Sequence, residues 1–426
     1  MGWPRSFRLS QEGLETINKE IVRRKKNDKS WNNLDWLKRA NEIDPDARLD
    51  SETTLKRFKR KKPIEVKGFI ALCKAIDIDW RKVTDWKSSG IDEEEFVSNP
   101  WDKTQLEYIL TGHANSVGSI APSPNGKTLA SGSYDGEIKI WDLQKRKVKC
   151  SLKAHEKDVS CVVFSSEEEL ISGSYDGKIK IWNLQTQEVK WTLPKEELGP
   201  KEELGPNPYA IESMSLSPNG EYLFINSYES EQIRIWYLPK DRKLVGSLSK
   251  HKDGVMCLAM SPNSPMLVSG GKDGKVYFWA VPSKDNQPHQ YYEDWKSFPE
   301  SESLEQHSDW VTSLAISPNN EVVASGGKDG EIYLWNLNSG TFIKKLEKHS
   351  KAVLSLAFSP DSQILASASY SQTIKIHNWR ESNVIQTLET YPNYTQCLVF
   401  SQHSQRLFSS NSQGNICTWK PSSINQ

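Results

Sequence analysis

Short runs of alternating apolar and polar residues fill most of this chain, and they recur with a period near 42 residues between positions 106 and 420. The first unit reads Ser116-Val-Gly-Ser-Ile-Ala-Pro-Ser-Pro-Asn-Gly-Lys-Thr-Leu-Ala-Ser-Gly-Ser-Tyr-Asp-Gly-Glu-Ile-Lys-Ile-Trp-Asp-Leu143. Ile138, Ile140 and Leu143 alternate there with Glu137, Lys139 and Asp142, which predicts a strand with one dry face. Ser123-Pro-Asn-Gly126 is a tight-turn sequence, because Pro presets φ at the second position and Asn and Gly tolerate the unusual backbone angles of the last two. Ser-Pro-Asn or Ser-Pro-Asp recurs from Ser217, Ser261, Ser317 and Ser359, and a second turn comes later at Tyr134-Asp-Gly, Tyr175-Asp-Gly, Lys272-Asp-Gly and Lys328-Asp-Gly. Each unit therefore offers about four strands, and there are seven units. One such sheet cannot bury both faces, whereas stacked neighbours can, so the repeats predict a radial β architecture. The last copy supplies only three strands, near 395–400, 406–410 and 415–419. Gln105-Leu-Glu-Tyr-Ile-Leu110 reads as a spare strand upstream of the first copy. It is expected to complete the last sheet, closing the ring and removing an open edge.

Two insertions break the period. Lys-Glu-Glu-Leu-Gly-Pro stands twice in tandem at 195–200 and 201–206 and is expected to be a solvated loop. Residues 283–304 carry Tyr291, Tyr292, Trp295 and Phe298, and part of this stretch is expected to form the outer strand of the fourth unit.

The amino-terminal part has another period. Leu14, Ile17 and Ile21 mark one helical stripe, Trp31, Leu34 and Leu37 a second, and Phe69, Ile70, Cys73 and Ile76 another. Asp50-Ser-Glu-Thr-Thr-Leu-Lys-Arg-Phe58 opens with capping chemistry. Residues 8–86 are thus expected to form a small all-α domain, 87–103 a polar linker and 104–422 the all-β domain.

Hydrophobic residues make up 36% and charged residues 26%, as in an ordinary globular protein. No apolar run reaches the ~18 residues of a membrane span, and the first residues lack a signal-peptide core, so the expected location is the cytoplasm. Net charge is zero but unevenly placed. Residues 1–90 hold 22 Lys and Arg against 14 Asp and Glu, which leaves 33 against 41 for 91–426. Such asymmetry points to different partners for the two parts. The six cysteines are scattered. Cys161, Cys257 and Cys397 share one repeat position with Ser119, Ser313 and Ser355, and read as small buried side chains.

Five copies open on a histidine: His113, His155, His251, His307 and His349. Gly112-His113, the Ser-Gly-x-x-Asp runs and Trp141-Asp142 resemble the WD-repeat family over about three-quarters of the chain. The resemblance implies a seven-bladed β-propeller with a hydrogen-bonded His, Ser, Asp and Trp tetrad inside each blade. The pattern is complete in His113, Ser131, Asp135, Trp141; in His155, Ser172, Asp176, Trp182; in His251, Ser269, Asp273, Trp279; and in His307, Ser325, Asp329, Trp335. The third copy has no histidine and an extra residue before Trp236. The sixth has Ser371 for Asp and His377 for Trp. The seventh keeps only Trp419, with Gln413 in the Asp place. These three are expected to rely on apolar packing.

His, Ser and Asp together suggest nucleophilic catalysis, but four copies of the set fit a structural role better. Each tetrad bond is worth roughly 0.5–1.5 kcal/mol, and an orphaned buried partner costs ~1–3 kcal/mol. A buried Trp adds up to ~5 kcal/mol. No phosphate loop, dinucleotide fingerprint or zinc spacing is present, so no enzyme, cofactor, metal or small-molecule substrate is expected. The resemblance also implies that the residue before each turn Asp lies on one rim. Those residues are Tyr134, Tyr175, Lys272 and Lys328, with Tyr370 before Ser371. Trp310 adds a large aromatic beside them, so the rim is expected to bind a protein or peptide.

Lys29-Ser-Trp31, residues 51–58, Lys62-Pro63-Ile64 and Phe69–Ile76 resemble the Cro-like helix-turn-helix group, in the degenerate form fused to repeat domains in cyanobacterial signalling proteins. Six cations in positions 56–62 would suit DNA phosphates. Thr53, Lys56, Arg57, Lys59 and Arg60 are then the candidate DNA-binding residues of the segment 51–62. Against that, Asn41–Leu49 make a long turn carrying Glu42, Asp44 and Asp46, which would repel phosphate. The expected function is a non-enzymatic interaction scaffold, in bacterial signalling or complex assembly, whose helical module recruits a second partner. A DNA-binding regulator is the alternative.

Overall fold

In a computed structural model, residues 101, 103–193, 210–239, 242–281, 307–390, 393–401 and 405–421 are described. All lie in one compact unit, Asn99–Gln426. The helical module 8–86, nearly all of the linker, the 195–206 duplication and the 283–304 insertion fall outside the described residues.

The described chain is built from seven antiparallel sheets. The first runs outward as Val117–Pro122, Thr128–Ser133, Glu137–Asp142 and Lys147–Lys153. The innermost strands of the seven blades, Val117–Pro122, Val159–Phe164, Ile211–Leu216, Val255–Met260, Val311–Ile316, Val353–Phe358 and Thr395–Phe400, touch their neighbours around the ring. Blade four shows three strands among the described residues. Each inner strand carries a β-bulge at its second residue, after Val117, Val159, Ile211, Val255, Val311, Val353 and Thr395. A bulge leaves one residue out of the ladder and re-aims its side chain.

The last blade closes as the sequence predicts. Thr104–Thr111 pairs antiparallel with Asn415–Pro421 and is the outer strand of the seventh sheet. Glu107 on that strand receives both Arg406 Nε (2.7 Å) and Nη2 (3.1 Å) from the last blade.

Seven apolar clusters hold the blades, one at each junction. In each, a Trp reaches the preceding blade. Trp182 packs with Ile138 and Ile140, and Trp141 with Leu110, Phe408 and Ile416 across the closure. Blade six has no Trp at the repeat position, where His377 stands. Trp379, two residues on, fills that junction instead, against Leu334 and Leu346.

The spacing between an Asp-Gly turn and the next histidine has a physical cause. The Gly136 carbonyl accepts the His155 amide (3.0 Å), and the same bond joins Gly274 to His307 and Gly330 to His349. The backbones approach so closely that a side chain on the glycine would collide. A Cβ on Gly414, at φ +78°, would stand 2.5 Å from the His113 carbonyl oxygen, across the ring closure. Gly414→Ala combines left-handed strain with a backbone clash, so we expect it to cost ~2 kcal/mol or more. Urea denaturation checks this, and an unchanged midpoint would contradict the contact.

Candidate functional site

Four blades contain the same hydrogen-bonded chain. Trp141, Trp182, Trp279 and Trp335 donate their indole N–H to Ser131, Ser172, Ser269 and Ser325 at 2.8, 2.9, 2.8 and 2.8 Å. The serine hydroxyls lie 2.7–2.9 Å from Nε2 of His113, His155, His251 and His307. Nδ1 of the same histidines stands 2.9–3.1 Å from Asp135, Asp176, Asp273 and Asp329. An indole can only donate, so the serine oxygen accepts from Trp and its proton goes to Nε2. Nε2 is then the acceptor, and Nδ1–H donates to Asp. Each Asp also accepts turn amides, such as Ala114 and Glu137 at Asp135 (both 2.9 Å). Burial pushes the Asp135 carboxyl up, but these amides and His113 outweigh it and hold it below its usual range. The four serines are fully buried and already receive a donor, so they are sealed from any substrate.

The three departing blades do not behave alike. In blade three the indole nitrogen of Trp236 is buried without a partner among the described residues, as expected of a copy lacking the pattern. Blade seven retains half of it, because Trp419 donates to Ser409 (2.8 Å). Blade six corrects the expectation of purely apolar packing. Ser367 Oγ lies 2.7 Å from His349 Nε2 and 2.8 Å from His377 Nε2. His377 takes the Trp role, donating Nε2–H to Ser367, which donates to His349. Its Nδ1 is then a buried acceptor with no partner. Among the described residues His349 Nδ1 meets only Thr373 Oγ1, at 3.5 Å, where the four intact blades offer a carboxylate. Burial above all depresses both imidazoles, to about 4 for His349 and about 3 for His377.

The rim candidates come together in two groups. On one side the ammonium of Lys272 lies 4.9 Å from the Tyr228 ring and 4.8 Å from the Trp310 ring, with Glu229 Oε1 at 3.6 Å. Lys328 covers Trp310 as well, at 4.2 Å. The Lys272 side chain is only 10% exposed and is held within the face, whereas Lys328 at 47% is open to solvent. On the other side Tyr370 and Tyr394 pair at 4.7 Å, and Tyr134 sits over Gly118, where an added Cβ would meet its ring at 2.7 Å. Tyr175 donates to Glu212 Oε2 at 3.3 Å. Burial, then the Glu212 charge, push Tyr134 up to about 12 and raise Tyr175 further. Tyr134 also feels Asp158, Tyr370 and Tyr394, so groups of blades two, three, six and seven act on this residue of blade one.

Sequence reading missed three members of this face. Tyr228 precedes Glu229 as Tyr134 precedes Asp135, so its position was legible. Tyr394 and Glu212 were not: Tyr394 belongs to a copy with a poor match, and Glu212 is a bulge residue whose exposure depends on the ring. Also missed was the work of the shared Ser or Cys position. Ser119, Ser213, Ser313 and Ser355 accept the amides of Val162, Leu258, Leu356 and Leu398 in the next blade, at 2.8–3.3 Å. Cys161 and Cys257 stand in the same register, and burial raises both thiols, as suits inert packing.

Thr53, Lys56, Arg57, Lys59 and Arg60 lie outside the described residues. Among the described residues no group of side chains is arranged to hold a metal ion, and no helix is long and apolar enough to cross a membrane.

Comparison with known proteins places this geometry. Residues 104–142, 146–183, 242–280, 299–336 and 340–378 match the WD40 family, described as WD domain, G-beta repeat, so the chain carries five WD40 repeats within its seven-bladed propeller. The segments starting at 104, 146, 242 and 340 each open on the outer strand of the preceding blade. The chain is similar to human Striatin-4, with 25% identity over 252 residues, covering 57% of this chain and 30% of that protein. Nuclear distribution protein nudF of Emericella nidulans is 28% identical over 250 residues, covering 57% of this chain and 54% of nudF. Small ribosomal subunit protein RACK1y of Oryza sativa subsp. japonica is 32% identical over 102 residues, covering 24% and 26%. The matched part thus spans about a quarter to a half of these relatives.

Proposed function

We propose that this chain of WD40 repeats is a non-enzymatic protein-interaction scaffold of the cytoplasm, serving bacterial signalling or complex assembly. The propeller face binds a protein or peptide, and residues 8–86 recruit a second partner. The observation that carries this reading is the gathering of Tyr134, Tyr175, Tyr228, Lys272, Trp310, Tyr370 and Tyr394 around one end of the ring. Aromatic side chains with interleaved cations give large contact area at low entropic cost, which is how interface anchors work. The His, Ser and Asp sets offer no competing chemistry, since they are sealed inside the blades.

The test is a pull-down from the native host with the full chain and a Trp310→Ala, Tyr134→Ala, Tyr370→Ala triple variant. The variant is expected to lose most captured partners while remaining folded. An unchanged partner set would count against this face. The six cations of residues 56–62 favour a second reading, a DNA-binding regulator acting through residues 51–62. Fluorescence anisotropy of the full chain with random duplex, across a salt series, decides it: absent or salt-insensitive binding removes that reading.

A further inference from the structure

The seven bulge residues, Gly118, Ser160, Glu212, Met256, Thr312, Leu354 and Gln396, occupy equivalent places on the inner strands. Only one of them, Glu212, can carry a charge. Its polar counterparts bond internally: Ser160 donates to the Gly173 carbonyl, Thr312 to the Gly326 carbonyl and Gln396 to Ser116 Oγ. Glu212 has one hydrogen bond among the described residues, accepted by Oε2 from Tyr175. It stands on blade three, yet its charge acts on Tyr134 of blade one and Tyr175 of blade two, and Lys272 of blade four acts on it. Its place at the bulge of an inner strand, bonded to Tyr175 of the neighbouring blade, sets it among residues of several blades.

We propose that Glu212 anchors an arginine side chain of a partner protein, inserted at the tyrosine-lined mouth of the ring. This rests on the reading of that face as the protein-binding surface, and names the chemistry of its ligand. A carboxylate withdrawn from water gains most from a partner that brings both charge and hydrogen bonds. Burial raises its proton affinity, and the Tyr175 hydroxyl and the more distant Lys272 offset this only in part. Lys272 is itself engaged by Glu229 and by the Tyr228 and Trp310 rings. A guanidinium suits the place better than an ammonium. It is planar, presents a fork of donors to a carboxylate and stacks on aromatic faces. Tyr175 places its hydroxyl 3.3 Å from the carboxylate, and Tyr134 lies near enough to feel its charge, so aromatic side chains stand at the site.

The experiment titrates the full chain with the capped pentapeptide Ala-Ala-Arg-Ala-Ala and with its citrulline, lysine and glutamine counterparts, monitored by saturation-transfer NMR. Glu212→Gln keeps a hydrogen-bond acceptor for Tyr175 and removes the charge, so the fold is retained and the melting temperature checks it. The arginine peptide is expected to bind at least tenfold more tightly than the citrulline peptide, and Glu212→Gln is expected to abolish that difference. Equal binding of the two peptides, or an arginine preference that survives in Glu212→Gln, overturns the proposal. Should this happen while the rim triple variant still loses its partners, the face stands and the arginine anchor fails. Should the triple variant also keep its partners, both fail.

Discussion

Lowering the pH from 7 to about 4 is expected to destabilise the propeller strongly, and blade six is expected to be the cause. His349 and His377 share Ser367 in a buried interior, with no carboxylate among the described residues hydrogen-bonded to either ring. Burial depresses them to about 4 and about 3, with the charge of Lys375 acting in the same direction. Linkage sets the sign. In the unfolded chain both titrate near 6.5, so below that pH the unfolded state takes up protons that the folded state refuses. Stability is therefore full above about pH 6.5. It falls as pH drops towards 4 for His349 and towards 3 for His377. Each site costs up to ~1.4 kcal/mol per pH unit. Because the two rings are coupled, a combined loss on the order of 5 kcal/mol is the reasonable scale. That is comparable with the whole stability of many domains. His113, depressed chiefly by burial, adds in the same sense.

Two variants isolate the cause. Ser371→Asp supplies the carboxylate found in the four intact blades, and should flatten the slope between pH 6.5 and 4. His377→Phe removes one titrating ring and should halve the slope. The measurement is the urea midpoint across that range. A wild-type midpoint that holds steady from pH 7 to 4.5, or a Ser371→Asp profile parallel to wild type, would contradict the account.

Removing the tetrad carboxylate from an intact blade is expected to cost nearly as much at neutral pH. Asp176 accepts Nδ1–H of His155 (3.0 Å) and the amides of Glu156 (3.2 Å) and Lys178 (2.8 Å). Its side chain is 5% exposed and the His155 side chain is fully buried. Burial pushes the carboxyl up, but the His155 bond, its charge and the two amides outweigh it and bring it to about 2. Asp176→Ala strands three donors, of which the imidazole is sealed from water. At ~1–3 kcal/mol for each buried orphan, and allowing for relaxation and water entry at the amides, the loss should be about 3–5 kcal/mol. Asp176→Asn keeps an acceptor oxygen and should lose about half as much. The two substitutions are compared by urea denaturation at pH 7. Equal losses would mean that the acceptor role of Asp176 is not what stabilises the turn. This carboxylate contributes stability that is lost as pH falls from about 4 towards 2, a window that begins where that of His349 ends and overlaps the lower end of that of His377.

The two results bear on one question, which is why a propeller tolerates an altered tetrad. Blade six lost both the Asp and the Trp. It kept the serine as a relay between two imidazoles, and it moved the bulky aromatic two residues along to Trp379. The junction with blade five stays filled, and the penalty appears only when the imidazoles protonate. Blade three made no such adjustment at Trp236, whose indole nitrogen is buried unpaired among the described residues.

The sequence by itself determined the strands, the seven-fold repeat and the closing strand, and its resemblance to the WD-repeat family supplied the four complete tetrads. The strands, turns and tetrads lie within one repeat: alternation sets the strands, Pro, Asn and Gly set the turns, and the Ser and Trp of a tetrad lie ten residues apart on paired strands; the closing strand showed instead as a strand spare before the first copy and missing from the last. The rim residues beside the Asp turns were named from the family resemblance, which says where the residue before the turn Asp lies. Only the tertiary structure decided what happens between blades. The serine bonds from Ser119, Ser313 and Ser355 reach amides 43 residues away. Trp379 had to be seen against Leu334 of the neighbouring blade, and His377 against Ser367 and His349, before either had a role. Glu212 became distinctive only when the ring brought Tyr134, Tyr175 and Lys272 to it. These are meetings of residues one or more repeats apart, and nothing in a local period specifies which side chain a neighbouring blade will present.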